Sequence, residues 1–240
     1  MLQKNRLLNF KDKIIYQDDD WFMFSLDSVL LVNFVTIRLN DKKIIDFCSG
    51  NAPIPMLLTY KTKSSIIGIE LQKPVYELGV RSITENDMAS QIQLINDDVK
   101  NVKELFCEDS FDLILCNPPY FKNNDKKLIA DNPIKSIARH EICLTLDDVL
   151  KCAKYLLKNG GTLSMVHRPE RLIEIIDKMH FYGFEPKKVQ FVYPKIGMEA
   201  NTLLIEGVKG GKSGLKILPP LIVHEEDGSY TEKIRSYFQE

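Results

Sequence analysis

The sequence predicts an α/β fold: a seven-stranded, mostly parallel sheet with helices on both faces and a final antiparallel hairpin. Three observations lead there. A chain of 240 residues with 44% apolar content can bury one sizeable core. From residue 43 onward, short β-branched runs alternate with longer amphipathic stretches, the pattern of parallel strands joined by helical crossovers. The last two apolar runs, 187–193 and 201–208, are separated only by a loop containing Pro194 and Gly197, too short for a crossover, so they are antiparallel neighbours.

Taken in order, 27–40 has apolar residues at 26, 29, 30, 34, 35 and 37, which suits a helix capped by Ser25 or Asp27. Strands are expected at 43–47, 65–70, 92–96, 111–116 and 161–167, with helices at 53–61, 73–87, 100–106, 145–158 and 169–182. Residues 121–140 carry Lys122, Lys126, Lys127, Lys135 and Arg139 without a sustained apolar period, and a loop of that length inside a domain is usually functional or disordered. Gly210 to Gly214 reads as a flexible link to a tail whose 217–223 segment docks on the domain. The expected organisation is a single domain over 1–240, with 1–42 as an extension beside the cleft at the strand ends, 121–140 as a substrate loop, and 210–240 as linker and docked tail.

Composition excludes several classes. No apolar stretch approaches the ~20 residues of a membrane span, and residues 1–20 lack the apolar core of a signal peptide, so the expected setting is the cytoplasm, with no membrane partner. The five cysteines, at 48, 107, 116, 143 and 152, form no CxxC pair, and the histidines at 140, 167, 180 and 224 show no ligand spacing with them, so no metal site is expected. The net charge of −1 does not suit a protein that coats nucleic acid, but the charge is uneven. Residues 1–120 hold 13 basic and 17 acidic side chains, 121–216 hold 17 and 11, and the remainder 2 and 5. A phosphate-bearing partner would therefore meet the middle stretch. The residues specify no oligomeric state.

Asn117-Pro118-Pro119-Tyr120 directly follows the apolar run 111–116, at the carboxyl end of an expected parallel strand, where open α/β sheets bind ligands. Two prolines fix φ and remove two donors. The Asn117 side-chain oxygen and the Pro118 carbonyl can then accept both hydrogens of a planar NH2 group, while Tyr120 stacks on the ring that carries it. That arrangement points to N-methylation; a stiff turn is the plain alternative.

The other strand ends suit a nucleoside cofactor. Asp46-Phe47-Cys48-Ser49-Gly50-Asn51-Ala52 forms a tight turn after the first parallel strand, with Gly50 giving close approach and Asp46 either accepting from an ammonium group or holding the turn. Glu70, 20 residues after Gly50, is placed to accept two ribose hydroxyls. Asp98 can accept from an adenine amino group or cap the next helix, and Asp97 competes for either role.

With these segments read together, the chain resembles the class I, S-adenosylmethionine-dependent methyltransferases, within them the amino-methylating group with Asn-Pro-Pro-Tyr. The segments 24–31, 116–121, Ala138-Arg139-His140-Glu141 and His167-Arg168-Pro169-Glu170-Arg171-Leu172 are similar to the bacterial tRNA (adenine-37-N6)-methyltransferases that act on valine tRNA, and 216–221 matches that group's tail. Ala52 stands where the group more often has Gly. The resemblance implies S-adenosylmethionine as cofactor, held by Asp27, Asp46, Cys48, Gly50, Asn51, Glu70, Asp98 and Asn117. It implies transfer of the sulfonium methyl to adenine N6 with Asn117, Pro118, Pro119 and Tyr120 as the catalytic segment. The anticodon arm of tRNA would be met by Lys122, Arg139, His140, Arg168 and Arg171; surface charge at a helix start is the alternative for the last two, and a structural hydrogen bond for His140. Rival readings are a protein glutamine N5-methyltransferase, a ribosomal RNA or DNA adenine N6-methyltransferase, and a non-catalytic RNA-binding relative. The first usually carries an extra N-terminal helical domain, for which a first strand at residue 43 leaves little room.

Overall fold

The computed structural model describes residues 2–7, 13–18, 25–118 and 144–238. Its nine-stranded sheet holds all seven expected strands: β3 (Lys43–Phe47), β4 (Ser65–Glu70), β5 (Ile92–Asn96), β6 (Phe111–Cys116), β7 (Leu157–His167), β8 (Phe184–Tyr193) and β9 (Thr202–Lys209). Two short edge strands, β10 (Lys216–Ile217) and β11 (Leu221–Ile222), both run parallel to β8. The order is β10-β8-β9-β7-β6-β3-β4-β5. β3 to β7 are mutually parallel where they pair, while β9 lies antiparallel between β7 and β8.

Alternation along each strand splits the core into two layers. Ile44, Leu113 and Leu204 face helices α1 (Leu26–Phe34) and α2 (Pro53–Leu58). Ile45, Phe47 and Leu163 face α5 (Leu146–Leu156) and α6 (Leu172–Phe181) on the other side. α3 (Lys73–Glu85) and α4 (Val102–Leu105) complete the crossovers before β5 and β6. The start of α5 carries a reciprocal capping box, Thr145 with Asp148. At its end, Lys209 Nζ donates to the carbonyls of Lys154 and Leu157, both at 2.7 Å, and Leu157 pairs with Phe111 of β6, so β7 begins at 157 rather than 161.

α1 ends at Phe34, six residues short of the expected end, because tertiary partners take over its last turn. Lys188 Nζ donates to the Phe34 carbonyl at 2.6 Å, and Glu206 accepts the Thr36 N–H at 2.8 Å, drawing 35–37 out as a strap over the sheet. The tail lies along β8, with Leu218 N–H donating to Val189 O and Val223 N–H to Tyr193 O. Beyond it α7 (Glu232–Tyr237) brings Ile234, and then Phe238, into the core layer shared with α1 and α2.

A feature absent from the sequence reading is the antiparallel hairpin of β1 (Leu2–Arg6) and β2 (Ile14–Asp18). Its partners are distant in sequence. Ser82 accepts the Tyr16 N–H at 2.9 Å, Asn86 bonds both the N–H and the carbonyl of Ile14, and the Arg81 guanidinium lies 3.9 Å over the Tyr16 ring. Among the described residues no helix is long and apolar enough to cross a membrane.

Candidate active site at the carboxyl ends of the strands

The turn after β3 is built from left-handed backbone: Cys48 (φ 58), Gly50 (φ 56) and Ala52 (φ 71). Two of the three are not glycine, and such geometry disfavours any residue with a Cβ. Ala52 therefore does not sit in the right-handed region that alanine tolerates; it is a buried left-handed residue at the N-cap of α2. Hydrogen bonds hold the turn. Ser49 N–H donates to Ile69 O at 2.9 Å, Ser49 Oγ to Asp46 O at 3.0 Å, and Asn51 Nδ2 to Tyr16 O of the hairpin at 2.8 Å.

Two glycines make room for this turn. A Cβ on Gly68 would overlap Ser49 Oγ and stand 2.5 Å from Leu94 Cδ2. One on Gly79, in α3, would stand 2.7 Å from Leu94 Cδ1 and 3.2 Å from the Asn51 carbonyl carbon. Neither glycine has an unusual backbone; each is needed for close approach.

Glu70, 6% exposed, accepts the Gly50 N–H at 2.9 Å through Oε2 and the Gln72 N–H at 2.8 Å through Oε1. Each oxygen keeps a further acceptor direction, so two bonds to a diol are still available. Asp46 is 0% exposed, and neither carboxylate oxygen has a hydrogen-bond partner among the described residues. Burial pushes the Asp46 carboxyl well above the ordinary range, with the neighbouring Ser49 opposing it in part and the charge of Glu70 reinforcing it, and burial raises Glu70 too. The side chain of Asp46 thus does not hold the turn by hydrogen bonds. A cationic group supplied from outside would satisfy it.

β3 and β6 are neighbours with Phe47 opposite Cys116, so Cys48 and Asn117 leave the sheet side by side. Half-buried Cys48 stands against the buried Cys116, whose thiol is pushed well up by its burial. Asn117 is half-buried and Pro118 buried. Asp98 follows β5 and is engaged as a cap: Oδ1 accepts the Lys100 N–H at 2.9 Å and Oδ2 lies 3.3 Å from Lys100 Nζ. Asp27 is in the first turn of α1, with Ser25 at the N-cap. Pro119, Tyr120, Lys122, Arg139 and His140 lie outside the described residues.

The two arginines after β7 part company. Arg168 Nη1 donates to Asn201 O at 2.7 Å, joining the end of β7 to the start of β9. Arg171 is only 8% exposed, and Glu174 takes its guanidinium through two bonds, 3.1 and 2.9 Å, while Nη1 approaches His167 Nε2 at 3.5 Å. This corrects the expectation for Arg171. A buried fork already matched to a carboxylate is not a surface phosphate contact.

A family model described as the methyltransferase small domain matches residues 25–181. The chain belongs to this family. The match runs from α1 to α6 and so takes in the turn after β3, Glu70, Asp98 and Asn117. Among similar proteins, a tRNA1(Val) (adenine(37)-N6)-methyltransferase of Aliivibrio salmonicida is 28% identical over 214 residues, 85% of this chain and 84% of that protein. One of the same name from Bacteroides fragilis is 22% identical over 231 residues, 95% and 96% of the two chains. A solved structure, a predicted O-methyltransferase from Agrobacterium tumefaciens, superposes with a TM-score of 0.70 at 23% identity, over 89% of this chain and 95% of that one. The sheet of this methyltransferase small domain chain is accordingly the class I methyltransferase fold.

Ser49 was placed in the turn by the sequence but given no role, and Gly68 and Gly79 were likewise given none. The only signal for the glycines was their position in a strand and a helix interior, where glycine usually marks a close backbone approach. The contact of Asn51 with the hairpin had no sequence signal, since its partner is a backbone carbonyl 35 residues away.

Proposed function

We propose that this methyltransferase transfers a methyl group from S-adenosylmethionine to N6 of adenine 37 in the anticodon loop of tRNA, with valine tRNA as the substrate, in the cytoplasm. The observation that supports the reading is the pairing of Phe47 with Cys116, which puts the turn after β3 and Asn117-Pro118 on adjacent strand ends. The two similar tRNA1(Val) methyltransferases, which match most of the chain, supply the substrate.

The residues present fit the cofactor. Asp46 offers buried, unmatched oxygens to an ammonium group, Glu70 has two acceptor directions left for a ribose diol, and the turn at 48–52 brings backbone close to a ligand. Asn51 and Cys48 shape that turn, and Asp27, in the first turn of α1, is the contact proposed from that helix. Asp98 contributes as the capped end of β5, using the acceptor capacity its Lys100 contacts leave. The cofactor supplies an electrophilic methyl on sulfonium.

The chain's own part is to position and polarise the amine. An adenine N6 lone pair is delocalised into the ring and is a poor nucleophile. Asn117 Oδ1 and the Pro118 carbonyl accept its two hydrogens, which favours the tetrahedral geometry that develops in the transition state. Pro119 stiffens the segment and Tyr120 stacks on the base, setting its distance from the methyl. Position 37 lies in a single-stranded loop, so turning the base out costs little beyond unstacking. Lys122, Arg139, His140 and Arg168 are the contacts proposed for the anticodon arm.

The test is transfer of labelled methyl to total tRNA, compared with protein and DNA fractions, followed by mass-spectrometric mapping of the modified nucleotide. Asn117→Ala is expected to abolish turnover while cofactor affinity changes little. Near-normal methylation by that variant, or label appearing in protein rather than tRNA, refutes the reading.

A further inference from the structure

The edge of the sheet opposite the candidate active site carries a second concavity. It is a cavity of about 630 Å³, bounded by 37–42, which leads into β3, and 59–64, which leads into β4. Its lining holds four cationic side chains, Arg38, Lys42, Lys61 and Lys63, against one carboxylate. That carboxylate, Asp41, is buried and committed: it accepts the Arg38 N–H at 2.7 Å and lies 3.5 Å from Arg38 Nε. A fifth cation, Lys233, acts on Lys61; burial first, and then this like charge, lowers the Lys61 ammonium from its ordinary value. Arg38, already paired with Asp41, is also tied to the Gly160 carbonyl and Thr162 Oγ1, while Lys61 is held by a neutral partner, Asn33 Oδ1. Among the described residues Lys42 Nζ has only a long contact to Leu39 O, 3.5 Å.

Apolar groups are interleaved with these charges. Leu39 is 97% exposed beside Arg38, and Tyr60 is 42% exposed beside Lys61. Among the described residues Lys42, Lys61 and Lys63 have no carboxylate partner, and ammonium groups next to an exposed aromatic ring match a nucleotide unit, phosphate on the ammonium groups and base on the ring. The whole-chain count hides the cluster, because it falls in the half of the chain where acids outnumber bases.

We propose that this cavity binds RNA backbone, with phosphate between Lys42, Lys61 and Lys63 and a base against Tyr60, as a second contact on the edge away from methyl transfer. β3 separates the two edges by its five residues, roughly 17 Å at about 3.3 Å each, so one RNA arm gripping both must extend past the sheet. That this RNA is the substrate rests on the function proposed above; the cavity chemistry does not.

The test is RNA affinity against salt for the wild type and Lys42→Gln/Lys63→Gln, using the full chain, a valine tRNA transcript and an unrelated RNA of equal length. These two exposed lysines have the fewest structural contacts in the cavity, so the melting temperature should be unchanged. The expected result is weaker binding of both RNAs and a slope of log K on log[salt] shallower by about 1.4, the value for two single-strand phosphate contacts. Tyr60→Ala should weaken binding with no change of slope. Equal affinity and slope for wild type and double variant overturn the proposal; if ATP binding, measured on the same two proteins, is then the only binding lost, the cavity belongs to a free nucleotide. Because the comparison is between wild type and a variant changed only in the cavity, and its readout is RNA affinity rather than methyl transfer, the proposal can fail while tRNA methylation stands, or hold if methylation is not found.

Discussion

Gly68→Ala tests whether the cofactor turn depends on a missing methyl in the neighbouring strand. The new Cβ would overlap Ser49 Oγ, stand 2.5 Å from Leu94 Cδ2 and 3.0 Å from Ser49 Cβ. Leu94 can change rotamer, but Ser49 is pinned, its N–H on Ile69 O at 2.9 Å and its Oγ on Asp46 O at 3.0 Å. Overpacking of this kind costs about 1–3 kcal/mol, and displacing Oγ forfeits a buried hydrogen bond of roughly 1 kcal/mol. The entropy gained by replacing glycine returns about 0.4–1 kcal/mol, so a net loss of about 1–3 kcal/mol is expected. Urea unfolding would read it directly, and the melting temperature should fall by about 2–4 °C per kcal/mol for a domain of this size. Titration calorimetry with S-adenosylmethionine should show weaker binding, because Ser49 lies inside the turn. Ser49→Ala removes the closest overlap, so in a double-mutant cycle it should recover part of the loss, with a coupling of at least about 0.5 kcal/mol. A variant as stable as wild type with unaltered cofactor affinity would refute the claim that Gly68 makes room for Ser49.

Asp46→Asn should stabilise the cofactor-free protein at pH 8, because it removes the cost of burying a charge, and hardly at all at pH 4. The sign follows from linkage: with its folded pKa raised above the unfolded 3.8, Asp46 lowers stability as pH rises through that interval, and asparagine removes the slope. Urea midpoints at both pH values check this, and an equal shift at pH 4 and pH 8 would count against it. The same variant should bind S-adenosylmethionine less tightly, through loss of the charge facing the ammonium group. Ala52→Gly should change stability by no more than about 1 kcal/mol, since relief of left-handed strain, about 1–2 kcal/mol, is offset by chain entropy and one lost buried methyl. A change beyond about 2 kcal/mol in thermal or urea unfolding would mean that Ala52 has another role.

Seven of the nine strands of the sheet were legible because each is a short apolar run closed by turn residues, a purely local signal; the two-residue strands β10 and β11 are too short to carry one. The site was legible where its chemistry lies in consecutive residues, as in 46–52 and 117–120. Arg171 was misread because the sequence offers its charge and not its burial, and the Glu174 pairing that removes it from the surface is a property of the folded helix start. α1 was overextended for a related reason: apolar spacing continues to residue 37, but Lys188 and Glu206, some 150 or more residues away, claim the backbone after Phe34.

By itself the sequence determined the α/β class, the antiparallel finish, the acidic strand ends and the amine-holding tetrapeptide, since each is set by local periodicity, loop length or adjacent chemistry. Only the tertiary structure decided that Cys48 and Asn117 leave the sheet together, that Gly68 and Gly79 give the turn its space, and that Asp46 is buried without a partner. It also gathered Arg38, Lys42, Lys61 and Lys63 around one cavity, although the surrounding chain is net acidic. The physical reason is common to these cases: burial, close approach and like-charge convergence are relations between segments that the fold brings into contact.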